Sequence, residues 1–141
     1  MLRRLRPILP LLLLAGAAVA VEPPPAAPLI SPEALVARQA TGDPAMILLD
    51  VRTPEEYAAG HVPGAINVPH DTLESRLAAL PELRDHDLVV YCRTGRRAGF
   101  ALEMLARHGY TRLQHLAGDM DGWKAADRPV EVEAAPGPAP R

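Results

Sequence analysis

Short apolar runs alternate with segments of helical spacing along the middle of this 141-residue chain, and this alternation restricts the fold more than any other feature. Continuous apolar runs are typical of strands buried on both faces of a sheet, whereas apolar residues three or four apart are typical of helices. Such runs predict strands over residues 46–49 and 88–91, and two further strands are predicted over 65–68 and 113–116. The remaining segments predict helices over 32–39, 53–60, 71–80, 99–108 and 120–126. We therefore predict an α/β fold, with a mainly parallel central sheet flanked by helices on both faces.

Local signals indicate where several of these helices begin. Ser31 precedes Pro32 and Thr53 precedes Pro54, and a hydroxyl side chain followed by proline is typical of a helix N-terminus. Either Asp71 or Thr72 is expected to cap the third helix. The connections between elements are then short, so the middle of the chain forms one domain.

The two ends of the chain have a different composition. Residues 1–20 combine three arginines with a short apolar stretch and Ala18-Val19-Ala20, which is the pattern of a cleavable signal peptide. An uncleaved N-terminal membrane anchor is the alternative, although the apolar stretch is short for a span of ~20 residues. Residues 21–28 predict a Pro/Ala linker, residues 29–133 the folded domain, and residues 134–141 a disordered tail. We expect a periplasmic or secreted protein without stable membrane contact after cleavage.

Charge and cysteine content exclude several classes of function. Without residues 1–20 the chain keeps 12 of its 15 Lys and Arg against 17 Asp and Glu, a net charge of −5. Such a balance argues against nucleic acid or an anionic membrane as a partner. A single cysteine cannot form an intramolecular disulfide, and no His/Cys cluster has metal-ligand spacing. We expect a monomer without metal or cofactor.

The single cysteine, Cys92, directly follows the predicted strand 88–91 and opens a basic, glycine-containing loop. The loop residues are Arg93, Thr94, Gly95, Arg96 and Arg97, and a helix is predicted a few residues later. Loop amides, a helix N-terminus and arginines favour both the reactive thiolate form of cysteine and the binding of a small anion. The alternative is that Cys92 is merely a small buried apolar residue.

Three motifs, in order, resemble those of the rhodanese (thiosulfate sulfurtransferase) family. The first runs from Asp50-Val51-Arg52 through Glu55-Glu56-Tyr57 and Gly60-His61 to Pro63-Gly64-Ala65-Ile66-Asn67, the second is Tyr91 to Arg97, and the third is Gly118-Asp119-Met120-Asp121-Gly122-Trp123. The resemblance covers residues 30–132 and is greatest to small single-domain periplasmic rhodaneses. One departure is Asp119, which replaces the second of two adjacent glycines that family members often carry.

The resemblance implies a two-step sulfur transfer through Cys92. The thiolate would attack the outer sulfur of thiosulfate or a similar small anionic donor, leaving a persulfide that cyanide or a thiol then accepts. Arg93 and Arg96 would attract the donor, and Arg97 would point inward. Asp50 would support the cysteine loop, by hydrogen bonds or an ion pair with a loop arginine, or serve only as a turn residue. Arg52 would form a structural ion pair, with Glu56 as the candidate partner.

The remaining histidines and Trp123 are expected to be structural. His61 is expected to make a polar contact in its turn, Trp123 to belong to the core, and the other four histidines, His70, His86, His108 and His115, to be surface or capping residues.

Two other functions stay open at this point. Cysteine phosphatases and arsenate reductases need an arginine six residues after the cysteine, but here that position is Ala98 and the arginine comes one residue earlier. A non-catalytic rhodanese-like module that binds a partner protein is the second alternative, and such modules typically lack the cysteine.

Overall fold

A five-stranded parallel sheet forms the centre of the protein in a computed structural model, which describes residue 20 and residues 22–134. The strand order is β1-β5-β4-β2-β3, and every pair of neighbouring strands is parallel. This confirms the predicted α/β fold. The signal peptide predicted over 1–20 and the tail predicted over 134–141 lie almost entirely outside the described residues. The strands are β1 (Leu29–Ile30), β2 (Met46–Asp50), β3 (Ile66–Asn67), β4 (Asp87–Tyr91) and β5 (Leu113–Leu116).

Four α-helices connect these strands, a fifth follows β5, and two short 3-10 helices follow the third α-helix. Ser31 caps the first helix by accepting the Ala34 N–H at 3.1 Å, and Thr53 and Glu56 form a reciprocal capping box at the second. Both starts agree with the sequence-based prediction. The helices are α1 (Pro32–Ala40), α2 (Pro54–Ala59), α3 (His70–Arg76), α4 (Arg96–Arg107) and α5 (Asp119–Ala125), and the 3-10 helices cover Leu77–Ala79 and Pro81–Asp85.

Two helix starts differ from the prediction. Helix α3 begins after Pro69, whose carbonyl accepts the N–H groups of Thr72 and Leu73, so Asp71 and Thr72 lie inside the helix and do not cap it. Helix α4 begins at Arg96, three residues before the predicted start, because Gly95 adopts a φ of 109° and turns the chain directly into the helix.

The sheet separates two apolar cores, one on each face. Side chains alternate between the faces along a strand, so neighbouring residues of β2 and β4 belong to different cores. Leu49 and Val90 pack with helices α3 and α4, whereas Leu48 and Val89 pack with α1 and α5. Trp123 is 1% exposed and lies in the second core, as expected. The strands buried on both faces are therefore the ones with continuous apolar runs.

The two central strands end side by side, and this places the site. Asp50, the last residue of β2, is paired in register with Tyr91, the last residue of β4. Asp50 and the cysteine after Tyr91 therefore lie at the same edge of the sheet, where parallel α/β sheets bind ligands. Within residues 22–134, no helix is both long enough and apolar enough to cross a membrane.

Candidate active site

The sulfur of Cys92 lies in the short loop between β4 and α4 and receives a backbone hydrogen bond. The Gly95 N–H donates to Sγ at 3.0 Å. Directly after this contact, the left-handed backbone of Gly95 turns the chain into α4. The cysteine is 1% exposed. The loop therefore offers a partly shielded sulfur with an amide donor that stabilises negative charge.

The first turn of α5 holds this loop from below. The N–H groups of Met120 and Asp121 donate to the carbonyls of Cys92 and Arg93 at 2.9 and 3.0 Å. In return, the Asp119 carboxylate accepts the Cys92 N–H at 2.9 Å. Both polar groups of the Cys92 backbone are thus bound to one short segment of α5, which limits how far the loop can move.

Arg97 lies beside the sulfur and is held there by Glu56 of α2. Its two terminal nitrogens donate to the two Glu56 oxygens at 2.7 and 2.9 Å. This pairing raises the pKa of Arg97, with a smaller contribution from the nearby Cys92 sulfur. It also lowers the pKa of Glu56 to about 2. Arg97 therefore points inward, as expected, and places a fixed positive charge near Cys92.

The other loop residues face solvent. The Arg93 side chain is 62% exposed and its guanidinium lies 3.9 Å from Asp121, a weak surface contact. Thr94 and Arg96 are exposed as well, at the start of α4. Exposed arginines at these positions can attract an anion from solution, and this role does not require close contact with the sulfur.

Asp50 and Arg52 form a buried ion pair under the loop. The Arg52 Nη2 donates to Asp50 Oδ2 at 2.6 Å and to the Gly60 carbonyl at 2.8 Å. The side chain of Arg52 is 3% exposed and that of Asp50 is 0% exposed. The Tyr91 hydroxyl donates to the same carboxylate at 2.7 Å and accepts the Val62 N–H at 3.0 Å. The pKa of Tyr91 is raised, mainly because its hydroxyl is buried and to a smaller extent because the Asp50 carboxylate lies next to it. Asp50 thus supports the residue just before the cysteine.

These contacts correct the expected partner of Arg52 and exclude one of the alternatives for Asp50. Glu56 was expected as the partner of Arg52, but Arg52 pairs with Asp50, and Glu56 pairs with Arg97. Asp50 makes its ion pair with Arg52 and none with a loop arginine. The reason is geometric: Arg52 follows the end of β2 and its guanidinium folds back onto the carboxylate two residues earlier, while the N-terminal turn of α2 turns Glu56 toward α4.

Sequence reasoning missed two residues of the site. Asp119 was treated as a structural departure from the family motif, and His115 as a surface or capping residue, yet they contact each other and Asp119 binds the Cys92 amide. The only sequence signal was the replacement of a glycine by an acid at position 119.

His61 lies in the turn after α2 and has a structural contact there. His61 makes a structural polar contact, with Nδ1 2.9 Å from the Tyr57 carbonyl and its ring stacked on Tyr57 at 3.7 Å. Among the described residues, no group of three or more His, Cys, Asp or Glu side chains is placed to hold a metal ion.

Comparison with known proteins gives a consistent result. The family model described as "Rhodanese-like domain" matches residues 31–126. The chain is 43% identical over 74 residues to the thiosulfate sulfurtransferase PspE of Escherichia coli, covering 52% of this chain and 70% of that protein. It is 35% identical over 85 residues to a sulfurtransferase of Allochromatium vinosum, covering 60% of this chain and 78% of that one. The solved structure of the human single-domain sulfurtransferase TSTD1 superposes with a TM-score of 0.62 at 37% identity, over 70% of this chain and 96% of that one.

Proposed function

Because the chain belongs to the rhodanese-like domain family, we propose that it is a thiosulfate sulfurtransferase that carries sulfur as a persulfide on Cys92. Family and relatives support sulfur transfer in general. The observation that carries the specific proposal is the hydrogen bond from the Gly95 amide to Sγ, with the Arg97 guanidinium beside it. An amide donor and a fixed cation suit a sulfur that is anionic both before and after it receives the sulfane atom.

The reaction proceeds in two displacements at sulfur. The Cys92 thiolate attacks the outer sulfur of thiosulfate, the sulfur–sulfur bond of the donor breaks, and sulfite leaves with the bonding electron pair. A cyanide or thiolate acceptor then attacks the terminal sulfur of the persulfide, and the Cys92 thiolate leaves with its electrons. No external oxidant or reductant is needed, and the enzyme alternates between two forms, which predicts ping-pong kinetics.

In this proposal each part of the loop has its own role, which its contacts support. The Gly95 amide stabilises the charge on the sulfur, and Arg97 offsets that charge from the side. Arg93 and Arg96 are exposed and increase the local concentration of an anionic donor. Since Cys92 is 1% exposed, the site suits a small donor such as thiosulfate better than a bulky one.

Phosphatase or arsenate reductase chemistry fits this loop less well. A tetrahedral oxyanion in such enzymes is held by a guanidinium that binds two of its oxygens. Here the loop is one residue shorter, and both terminal nitrogens of Arg97 already bind Glu56. A binding module without catalysis would also have no use for a cysteine sulfur that receives an amide hydrogen bond.

Intact mass spectrometry tests the proposal. Thiosulfate should add the mass of one sulfur atom to the protein, and cyanide or dithiothreitol should remove it. Cys92→Ser should abolish both steps, because a hydroxyl cannot store sulfur as a persulfide. Arg97→Ala and Arg93→Ala should retain transfer at a rate reduced up to about tenfold, the size of one charged hydrogen bond or less.

The matched control is Arg107→Ala, which removes an exposed arginine at the far end of the same helix and should leave the rate unchanged. Full transfer activity in Cys92→Ser contradicts the proposal. So does phosphatase activity of the wild-type protein that exceeds its sulfur transfer.

A further inference from the structure

Asp119 is a buried acid that the proposed chemistry does not use. It is 4% exposed and lies in the first turn of α5, below the cysteine loop. Its Oδ1 accepts the Cys92 N–H at 2.9 Å, and the His115 Nε2 lies 3.0 and 3.1 Å from its two oxygens. Because an ionised carboxylate only accepts hydrogen bonds, His115 donates through Nε2. The carboxylate therefore has a backbone partner and a side-chain partner.

The same carboxylate also contacts the other end of the loop. A Cβ built on Gly95 would lie 2.9 Å from Asp119 Oδ2 and 3.3 Å from Cε1 of His115. The backbone of Gly95 thus rests directly against the Asp119–His115 pair, while the Cys92 amide is bound to it. Since the Gly95 N–H is the donor to Sγ, one carboxylate lies against both residues that make this contact.

The backbone of Asp119 has a conformation that glycine adopts more easily than aspartate. Its φ is 52°, in the left-handed region that costs most residues about 1–2 kcal/mol, aspartate less than most, and glycine nothing. Asp127 adopts nearly the same conformation, with a φ of 53°, but is exposed. A position whose only requirement was this backbone angle would be served best by glycine. At position 119 the carboxylate adds the contacts to Cys92 and His115, which glycine could not make.

We propose that Asp119 is a positioning residue for Cys92: its carboxylate, oriented by His115, fixes the loop so that the Gly95 amide stays on the sulfur. This inference rests on the proposed sulfur transfer at Cys92. Asp119 touches neither the sulfur nor the donor in this arrangement, so it acts through the loop backbone. Loss of the carboxylate then slows the step at sulfur and leaves donor binding largely as it was.

Asp119→Gly is the decisive variant, because glycine keeps the backbone angle without strain and removes only the carboxylate. Asp127→Gly is its matched control, with the same change at the same φ but far from any contact of the loop. We expect persulfide formation in a single turnover to be at least about tenfold slower in Asp119→Gly, equivalent to about 1.4 kcal/mol, with the KM for thiosulfate changed less than about twofold. Asp127→Gly should match the wild type in both.

Two further measurements separate positioning from a general loss of structure. Asp119→Asn keeps an oxygen that accepts the Cys92 N–H, so it should recover the rate to within about threefold of the wild type. Native-state hydrogen exchange should show the Cys92 and Gly95 amides exchanging at least about tenfold faster in Asp119→Gly, with the amides of β4 unchanged. This second readout does not depend on sulfur transfer.

The outcomes are distinguishable. Asp119→Gly with the wild-type rate, or with faster exchange but an unchanged rate, overturns the positioning role. An Asp119→Asn variant as slow as Asp119→Gly also overturns it, because the hydrogen bond would then not be the cause. If the wild-type protein forms no persulfide, the proposed function is contradicted instead. In that case faster exchange of the Cys92 and Gly95 amides in Asp119→Gly still shows whether Asp119 fixes the loop.

Discussion

At the scale of single residues, Asp50 is a buried charge whose loss should lower stability strongly. Its carboxylate is fully buried and binds the Arg52 guanidinium and the Tyr91 hydroxyl. Asp50→Ala leaves a buried guanidinium without its counter-charge, so we expect a loss of about 3–5 kcal/mol in the free energy of unfolding, measured with urea. Asp50→Asn should lie between this variant and the wild type, because its amide can still accept one hydrogen bond.

Asp85→Ala is the control for this prediction, since Asp85 is exposed at the end of a 3-10 helix. The free energy of unfolding of Asp85→Ala should stay within about 0.5 kcal/mol of the wild-type value. A similarly small effect of Asp50→Ala would contradict the reading of Asp50 as a structural support of the loop.

At the scale of elements, the ion pair between Glu56 and Arg97 joins the N-terminal turn of α2 to that of α4. It lowers the pKa of Glu56 to about 2, below the ordinary value of about 4.3. Since the folded-state pKa is the lower one, the stabilisation is complete above about pH 4.3 and is lost as the pH falls through about 2. Glu56→Gln should therefore cost about 1–2 kcal/mol near pH 6, and this cost should shrink toward pH 2.

Glutamine at this position has one oxygen that can still accept the Thr53 N–H, but it removes the charge and one of the two hydrogen bonds from Arg97. Glu55→Gln is the matched control, because the neighbouring Glu55 is exposed in the same turn. Thermal unfolding of both variants over this pH range gives the comparison. A cost of Glu56→Gln that stays constant from pH 6 to pH 2 contradicts the assignment of the pKa shift to the Arg97 pair.

At the scale of the whole molecule, the edge strand β1 joins the segment after the linker to the sheet. Leu29 and Ile30 pair with His115 and Leu116, and Ile30 is 5% exposed in the second core. We propose that the chain is exported and cleaved near Val21, which leaves this strand intact. Protein recovered from the producing cell should then begin near Val21 by N-terminal sequencing. Recovery of the intact N-terminus in the membrane fraction would count against export.

The same strand gives a stability comparison between two shortened chains. A chain that begins at residue 21 should have the same melting temperature as the protein recovered from the producing cell. A chain that begins at residue 31 lacks β1 and the burial of Ile30, so its melting temperature should be at least about 5 °C lower. Equal melting temperatures of the two would show that β1 contributes nothing to the fold.

The sequence by itself determined the fold class, the positions of four strands, two helix caps and the cysteine loop. These features are local, because a strand, a cap or a tight loop is encoded by residues a few positions apart. The start of α4 was missed because the turn at Gly95 brings the chain into the helix at once, and β1 was missed because two residues carry no periodicity.

Only the tertiary structure decided which charged groups meet around Cys92. Glu56 and Arg97 are 41 residues apart, and Cys92 and Asp119 are 27 apart. Their contacts depend on the order β1-β5-β4-β2-β3, which sets the ends of β2 and β4 side by side and brings α5 under the loop. Residue types and spacing identify which groups can pair, but the choice among several carboxylates and guanidiniums follows from distance and burial, which exist only once the sheet has formed.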